Sequence, residues 1–193
     1  NIFEKSPVGI VTIASDLKFL KANDEFCNFT GYKTADIEGL GLKDITHPDH
    51  IKNDLEQINA LWAGKISVFS AVTPYIRKNG EVRWGRILVN KVNDVRGEKP
   101  YLLAMITDIS REKLAEEAIK ENQRFLEIVL DTIPNYVFVR DINGKYRLTN
   151  KSFAEAMGST TADIVGKTDY ELGSRTKLAD YVSKQDKEIL KTG

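Results

Sequence analysis

The stretch Asp16-Leu17-Lys18-Phe19-Leu20-Lys21-Ala22-Asn23-Asp24-Glu25-Phe26-Cys27-Asn28-Phe29-Thr30-Gly31-Tyr32-Lys33-Thr34-Ala35-Asp36-Ile37-Glu38-Gly39 recurs in outline 127 residues further on. Lys18 meets Lys145, Asn23 meets Asn150, Phe26 meets Phe153 and Gly31 meets Gly158. Thr34-Ala35-Asp36-Ile37 meets Thr161-Ala162-Asp163-Ile164, and Gly39 meets Gly166. Extended back to Pro7 and Pro134, the match holds 10 identities in 33 ungapped positions, where background composition would give ~2. Several identities are Gly, Pro or Asn, the residues that set turns and caps. A fixed internal offset of this kind marks a repeated structural unit. We therefore expect one domain near 1–110 and the start of a second copy from about 130.

Working outward, 8–13 is an apolar run that reads as a buried strand. Ser15-Asp16-Leu17 turns it into a short partner around Phe19 and Leu20. Asn23 can cap a helix that begins at Asp24, its side-chain oxygen accepting from free N–H groups. Gly31 suits the end of that helix. Pro48 fits the first turn of a longer helix, on which Ile51, Leu55, Ile58 and Leu61 share one face. Three strands follow, 67–77, 82–92 and 101–107, with Asn79-Gly80 predicting a two-residue hairpin turn between the first two. Pro74 marks its strand as an edge or a bulge. The run 101–106 is apolar on both sides and must be covered on both faces.

From 111 to 133 the chain is charged and carries no Gly or Pro. Ala115, Ile119, Asn122, Leu126, Val129 and Ile133 repeat at heptad spacing with a polar Asn in the seam, the pattern of a parallel two-stranded coiled coil. The plain alternative is a solvated linker helix whose stripe packs on its own domains.

Two strands, short helices, a longer helix and three antiparallel strands make an α+β unit. In order and spacing, Asp16, Asn23, Phe26, Gly31-Tyr32, Asp36-Ile37-Glu38-Gly39, His47-Pro48-Asp49, Lys78-Asn79-Gly80, Trp84, Gly97 and Asp108-Ile109-Ser110 resemble the PAS domain, a sensor module of histidine kinases and diguanylate cyclases. His50 stands where the family usually has a second acidic residue. The resemblance implies a PAS fold: a five-stranded antiparallel sheet with short helices on one face, over 1–110. It implies a helical linker over 111–129 and the N-terminal part of a second PAS domain over 130–193. That part ends after a long helix carrying Leu178, Val182 and Ile189, with its last three strands absent.

Zero formal charge, 28 basic against 28 acidic residues, argues against nucleic-acid binding through a basic face. No apolar run reaches the ~20 residues of a membrane span. One cysteine, Cys27, allows no internal disulfide and fits a reducing compartment. With no initiator Met, the chain reads as a piece of a longer cytoplasmic protein, with a membrane anchor left open for the parent and an output domain expected C-terminal.

Cys27 has no adjacent Lys or Arg to lower its pKa and reads as a structural thiol rather than a photoactive one. His47 and His50 lack a ligand set for metal and read as helix-start residues rather than haem ligands. Trp62 and Trp84 read as packing rather than a flavin platform. Arg86 shares a face with Trp84 and Leu88 and is a candidate for an anionic ligand if that face is inward. We expect Phe26, Ile37, Trp84 and Arg86 to line a ligand pocket. Asp108 and Ser110 form the signal junction, with Ser110 as N-cap and Glu112 at the positive helix end. Ile119, Asn122, Leu126 and Val129 form a homodimer seam. No catalytic motif, metal site or resident cofactor is expected. The reading is a non-enzymatic sensory module that passes a ligand's or partner's signal through the linker helix. The alternatives are a ligand-free dimerisation module and a flavin- or haem-based redox or gas sensor.

Overall fold

The computed structural model describes residues 2–93 and 99–173. Gly97 and the helix expected around Leu178, Val182 and Ile189 lie outside the described residues. The chain divides into two compact units, Asn1–Glu116 and Glu117–Gly193.

In the first unit, β1 (Gly9–Ile13) and β2 (Phe19–Ala22) form a hairpin. Four helices follow: α1 (Asp24–Thr30), α2 (Thr34–Ile37), α3 (Leu42–Ile45) and α4 (Pro48–Trp62). Then come β3 (Val68–Ile76), β4 (Val82–Val92) and β5 (Tyr101–Asp108). The sheet order is β2-β1-β5-β4-β3, and each neighbouring pair is antiparallel. Strand alternation sends Ile87, Val89, Leu102, Ala104 and Ile106 to one face, where they meet Phe26, Phe29, Ile37, Ile45, Ile58 and Leu61 from the helices.

The apolar strand expected at 101–106 is the central strand β5. Its even residues are buried, and Tyr101, Leu103 and Met105 on the other face are half-buried. Pro74 does lie in an edge strand. Its carbonyl accepts the His47 N–H at 3.0 Å, and Thr46 bridges Tyr75, so the segment entering α4 lies along β3's free edge. The expected two-residue hairpin turn is corrected. Arg77 N–H donates to the Glu81 carbonyl and Gly80 N–H to that of Arg77, leaving a three-residue loop in which only Gly80 is left-handed. A second correction concerns α4: its buried face runs through Asp54, Ile58 and Leu61, while Leu55 is only half-buried.

After β5 the chain enters α5 (Ser110–Thr132), none of whose residues is buried. The described part of the second unit holds β6 (Phe138–Arg140), β7 (Tyr146–Thr149), α6 (Lys151–Ala156) and α7 (Thr161–Ile164) around a core of Tyr146, Phe153, Ala154 and Ile164.

The repeat extends to individual hydrogen bonds. Asn23 Oδ1 accepts from Ile10 and Phe26 N–H, and its Nδ2 donates to the carbonyls of Phe3 and Val8. Asn150 does the same with Val137 and Phe153, and with the carbonyls of Leu130, Ile133 and Asn135. Both asparagines are 0% exposed.

Candidate functional site

Of the four residues expected to line a ligand pocket, Phe26 and Ile37 lie in the core. Trp84 and Arg86 do not join them. In β4 it is Gly85, Ile87 and Val89 that are buried, so strand alternation turns Trp84 and Arg86 to the other face, where Arg86 is exposed. Its condition for receiving an anionic ligand is therefore not met.

The interior instead holds a polar cluster that the sequence reading passed over. Thr46, Asp54, Thr73 and Tyr75 are 4%, 4%, 1% and 1% exposed. Thr73 and Tyr75 share the inner face of β3, and Thr46 is bridged to Tyr75. Gly85 makes room for the Tyr75 ring. A Cβ there would sit 2.9 Å from Tyr75 Cε2, 2.9 Å from Ile106 Cγ2 and 3.1 Å from Phe29 Cζ. The Tyr75 ring meets Phe29 edge-on at 5.5 Å.

Burial pushes the Asp54 carboxyl above its usual range; the Thr73 hydroxyl, His50 and Asn53 offset this in part. Burial, and then the Asp54 charge, push the Tyr75 phenol up as well. Thr73 is thus close enough to act on Asp54, yet its hydroxyl is not at hydrogen-bond geometry. The hydroxyls of Thr46, Thr73 and Tyr75 are all buried without a hydrogen-bond partner. Such groups cost about 1–3 kcal/mol each when left unmade, which is why buried polar groups are as a rule bonded to protein, water or ligand.

The junction between β5 and α5, where Asp108 and Ser110 lie, is built around Trp84. Its carbonyl accepts the Ile109 N–H at 2.9 Å, and its own N–H donates to Ser110 Oγ at 2.9 Å. Ser110 therefore does not cap α5 as expected; its hydroxyl is committed to β4. Asp108 takes the neighbouring role instead, accepting from Ser110 N–H and Oγ at 2.9 and 2.6 Å. It also pairs with Arg83 at 2.9 Å. Partial burial pushes the Asp108 carboxyl up, but the Ser110 bonds and Arg83 outweigh it and hold the group below the usual carboxylate range. The Trp84 ring meets His50 of α4 edge-on at 6.2 Å, with Lys113 Nζ 5.7 Å from its centre. His50 thus acts on Asp54 on one side and touches Trp84 on the other.

The remaining candidates are placed as follows. Cys27 is half-buried, with Sγ 3.7 Å from Thr34 Oγ1, and burial pushes its thiol up, away from a reactive thiolate. His47 Nδ1 accepts the Asp49 N–H, and the His50 ring meets that of Trp84 edge-on. Among the described residues no group of three metal-ligating side chains occurs, and no helix is long and apolar enough to cross a membrane. Along α5, Ile119, Leu126 and Val129 are 58%, 56% and 38% exposed, and Asn122 is exposed too.

A family profile for the PAS domain matches residues 7–111, and one for the PAS fold matches residues 130–193. The chain belongs to the PAS domain family. Its PAS region is 31% identical over 127 residues to the probable diguanylate cyclase DgcE of Escherichia coli (strain K12), covering 66% of this chain and 11% of that protein. It is 27% identical over 125 residues to the sensor histidine kinase TmoS of Ectopseudomonas mendocina, covering 65% of this chain and 13% of that protein. The chain thus corresponds to a small part of these relatives. A solved PAS domain from Colwellia psychrerythraea shares the fold, with a TM-score of 0.51 at 14% identity over 57% of this chain and 92% of that one. The match to tandem PAS sensor regions agrees with the internal repeat, the five-stranded sheet and the linker helix.

Proposed function

We propose that the first PAS domain takes up a small ligand at the polar cluster around Asp54, and that the change in packing there is passed through His50 and Trp84 to the start of α5. The observation that carries this reading is the double attachment of Trp84: its backbone holds Ile109 and Ser110, while its ring meets the helix that bears Asp54. A ligand shifts such an element only by its difference in affinity for two states. Here those are α5 started on Trp84 and α5 released from it.

The signal would pass along α5 to an output domain C-terminal to this chain, in a cytoplasmic kinase or cyclase of the kind its relatives' names describe. We assign no catalytic role to these residues. Phe26 and Ile37 would form the apolar side of the ligand site.

The test is native mass spectrometry of the purified chain for a retained small molecule, with hydrogen exchange before and after its removal. Exchange should rise at 109–113 when the ligand leaves. A retained ligand whose removal changes protection only elsewhere would refute the route through Trp84.

A second reading, assembly without a ligand, is favoured by the exposed stripe of α5. We propose self-association through Ile119, Asn122, Leu126 and Val129 as part of the sensory function rather than in place of it.

A further inference from the structure

The apolar surface of α5 is wider than the stripe through Ile119, Leu126 and Val129. Beside it stand Leu114, Phe125 and Ile128, 66%, 62% and 55% exposed. An exposed apolar patch of this breadth marks an interaction surface. The residues fall into two runs. Ala115, Ile119, Asn122, Leu126 and Val129 follow spacings of 4, 3, 4 and 3, and so do Leu114, Ala118, Glu121, Phe125 and Ile128. All of them are exposed. Each run by itself satisfies the heptad period of a two-stranded coiled coil. They lie one residue apart, hence about 100° apart around the helix. A two-stranded pair encloses one such seam and leaves the other in water.

The partner is written in the polar residues of the seams. An enclosed side-chain amide needs both a donor and an acceptor opposite it. A second Asn122 in register supplies both, and an in-register polar seam residue is a device of parallel pairs. Arg111 and Glu116 flank the same seam on opposite sides, five residues apart, the spacing at which opposite charges meet across a parallel pair. In the other seam Glu121 would face its own copy, a like-charge contact. The first seam is therefore the resting one, and the second is a costlier packing of the same two helices.

The start of α5 is fixed on β4. Ile109 N–H donates to the Trp84 carbonyl and Trp84 N–H to Ser110 Oγ, both at 2.9 Å. These bonds set the azimuth at which the first turn leaves the sheet, and with it the stripe turned to a partner. Resting on the reading that α5 self-associates, we propose that it pairs in parallel with α5 of a second copy through two mutually exclusive seams, and that the Trp84 junction selects between them. A rotation of each helix by about 100° exchanges Leu126 for Phe125 and Asn122 for Glu121 in the contact. A signal arriving at the junction shifts the pair only by favouring one of these two packings.

The test is disulfide cross-linking of the whole chain with diamide in a Cys27→Ser background. Leu126→Cys reports the first seam, Phe125→Cys the second, and Glu127→Cys lies on neither. Cysteines whose Cα atoms are more than about 7 Å apart do not bridge without backbone movement, so each reports its own packing. Positions 126 and 125 should both couple several-fold faster than 127, with 126 the faster. Glu121→Leu should speed 125 and slow 126, and Asn122→Leu should do the converse. Ser110→Ala should change the ratio of the two rates. Should Cys27→Ser fail to fold, Cys27 is retained and the linked peptides are assigned by mass spectrometry. Coupling at 126 with 125 held to the control rate, even in Glu121→Leu, would overturn the second seam and leave self-association standing. Rates at 125 and 126 that rise or fall together would mean one broad contact and overturn the exchange. A ratio unmoved by Ser110→Ala would overturn selection by the junction. All three positions at the control rate would overturn both the seams and the self-association on which they rest.

Discussion

At position 140 the second PAS unit has arginine where the first has Ile13, and two further exchanges go with it: Tyr146 for Phe19 and Asp169 for Leu42. The three new side chains find one another. Arg140 pairs with Asp169 at 2.8 Å, and the Tyr146 hydroxyl donates to Asp169 at 2.7 Å. Burial, and the bond to Asp169, push the Tyr146 phenol up to about 12. Breaking a buried pair leaves a charge without its partner, so Asp169→Leu should destabilise the second unit by about 3–5 kcal/mol. The triple variant Arg140→Ile, Tyr146→Phe, Asp169→Leu, which restores the first unit's residues, should recover most of that loss in urea denaturation. A triple variant no more stable than the single one would refute this account. Asp54 poses the opposite case, a buried carboxyl with no Lys or Arg paired to it. Its folded-state pKa is raised, so the native protein binds the extra proton. Stability from this group is therefore lost as pH rises from the unfolded value through the folded one. Asp54→Asn removes that loss and should raise the melting temperature at pH 7 more than at pH 4; an equal change at both would contradict it. Asp54 escaped the sequence reading because the apolar residues of α4 satisfy a helical stripe without it. The slots 51, 54, 58 and 61 fit the period equally well, but an acidic residue in one of them reads as solvated until the fold is known.

The elements themselves were largely legible, because hydrophobic period, Asn caps and Gly ends all act locally. What stayed hidden was the direction of a face. Trp84, Arg86 and Leu88 share parity, but parity alone does not tell inside from outside; the sheet order does, together with the close packing at Gly85. The start of α5 shows the same limit. A serine at a helix start suggests a cap, yet here its hydroxyl is needed by the Trp84 N–H, a partner 26 residues away. Ser110→Ala should leave that N–H unpaired, costing about 1 kcal/mol. Amide exchange at Trp84 and Ile109 should rise well above that of the inner residues of β5; an unchanged pattern would mean the bond does not hold the junction. Along α5 the apolar stripe has no cover within its own unit. If a second chain covers it, Leu126→Asp places a charge in the seam and should shift the protein to monomer in light scattering at high micromolar concentration. An unmodified chain that is already monomeric there would refute the seam.

Over the whole molecule, the repeat was the strongest signal in the sequence, since the identities at an offset of 127 fall on the residues that bend and cap the chain. The two units should nevertheless differ in strength. The first buries an extensive core under five strands, whereas the described part of the second packs a small one against two, and two strands alone are marginal in water. Both tryptophans, Trp62 and Trp84, belong to the first unit. In urea, the Trp fluorescence midpoint should therefore lie above the midpoint from far-ultraviolet circular dichroism, which sees both units. Coincident midpoints would mean that the units unfold as one. The asparagine hubs carry a practical corollary for anyone splicing these modules onto a foreign effector. Asn23 is tied to the carbonyl of Phe3, and Asn150 to those of Leu130 and Ile133. The repeat is thus a cassette whose true boundary lies several residues ahead of its first strand. A chimera joined at Gly9 or Val137 would sever the clasp while appearing to preserve the domain. Joins made before Phe3 or Leu130 would carry the clasp across intact.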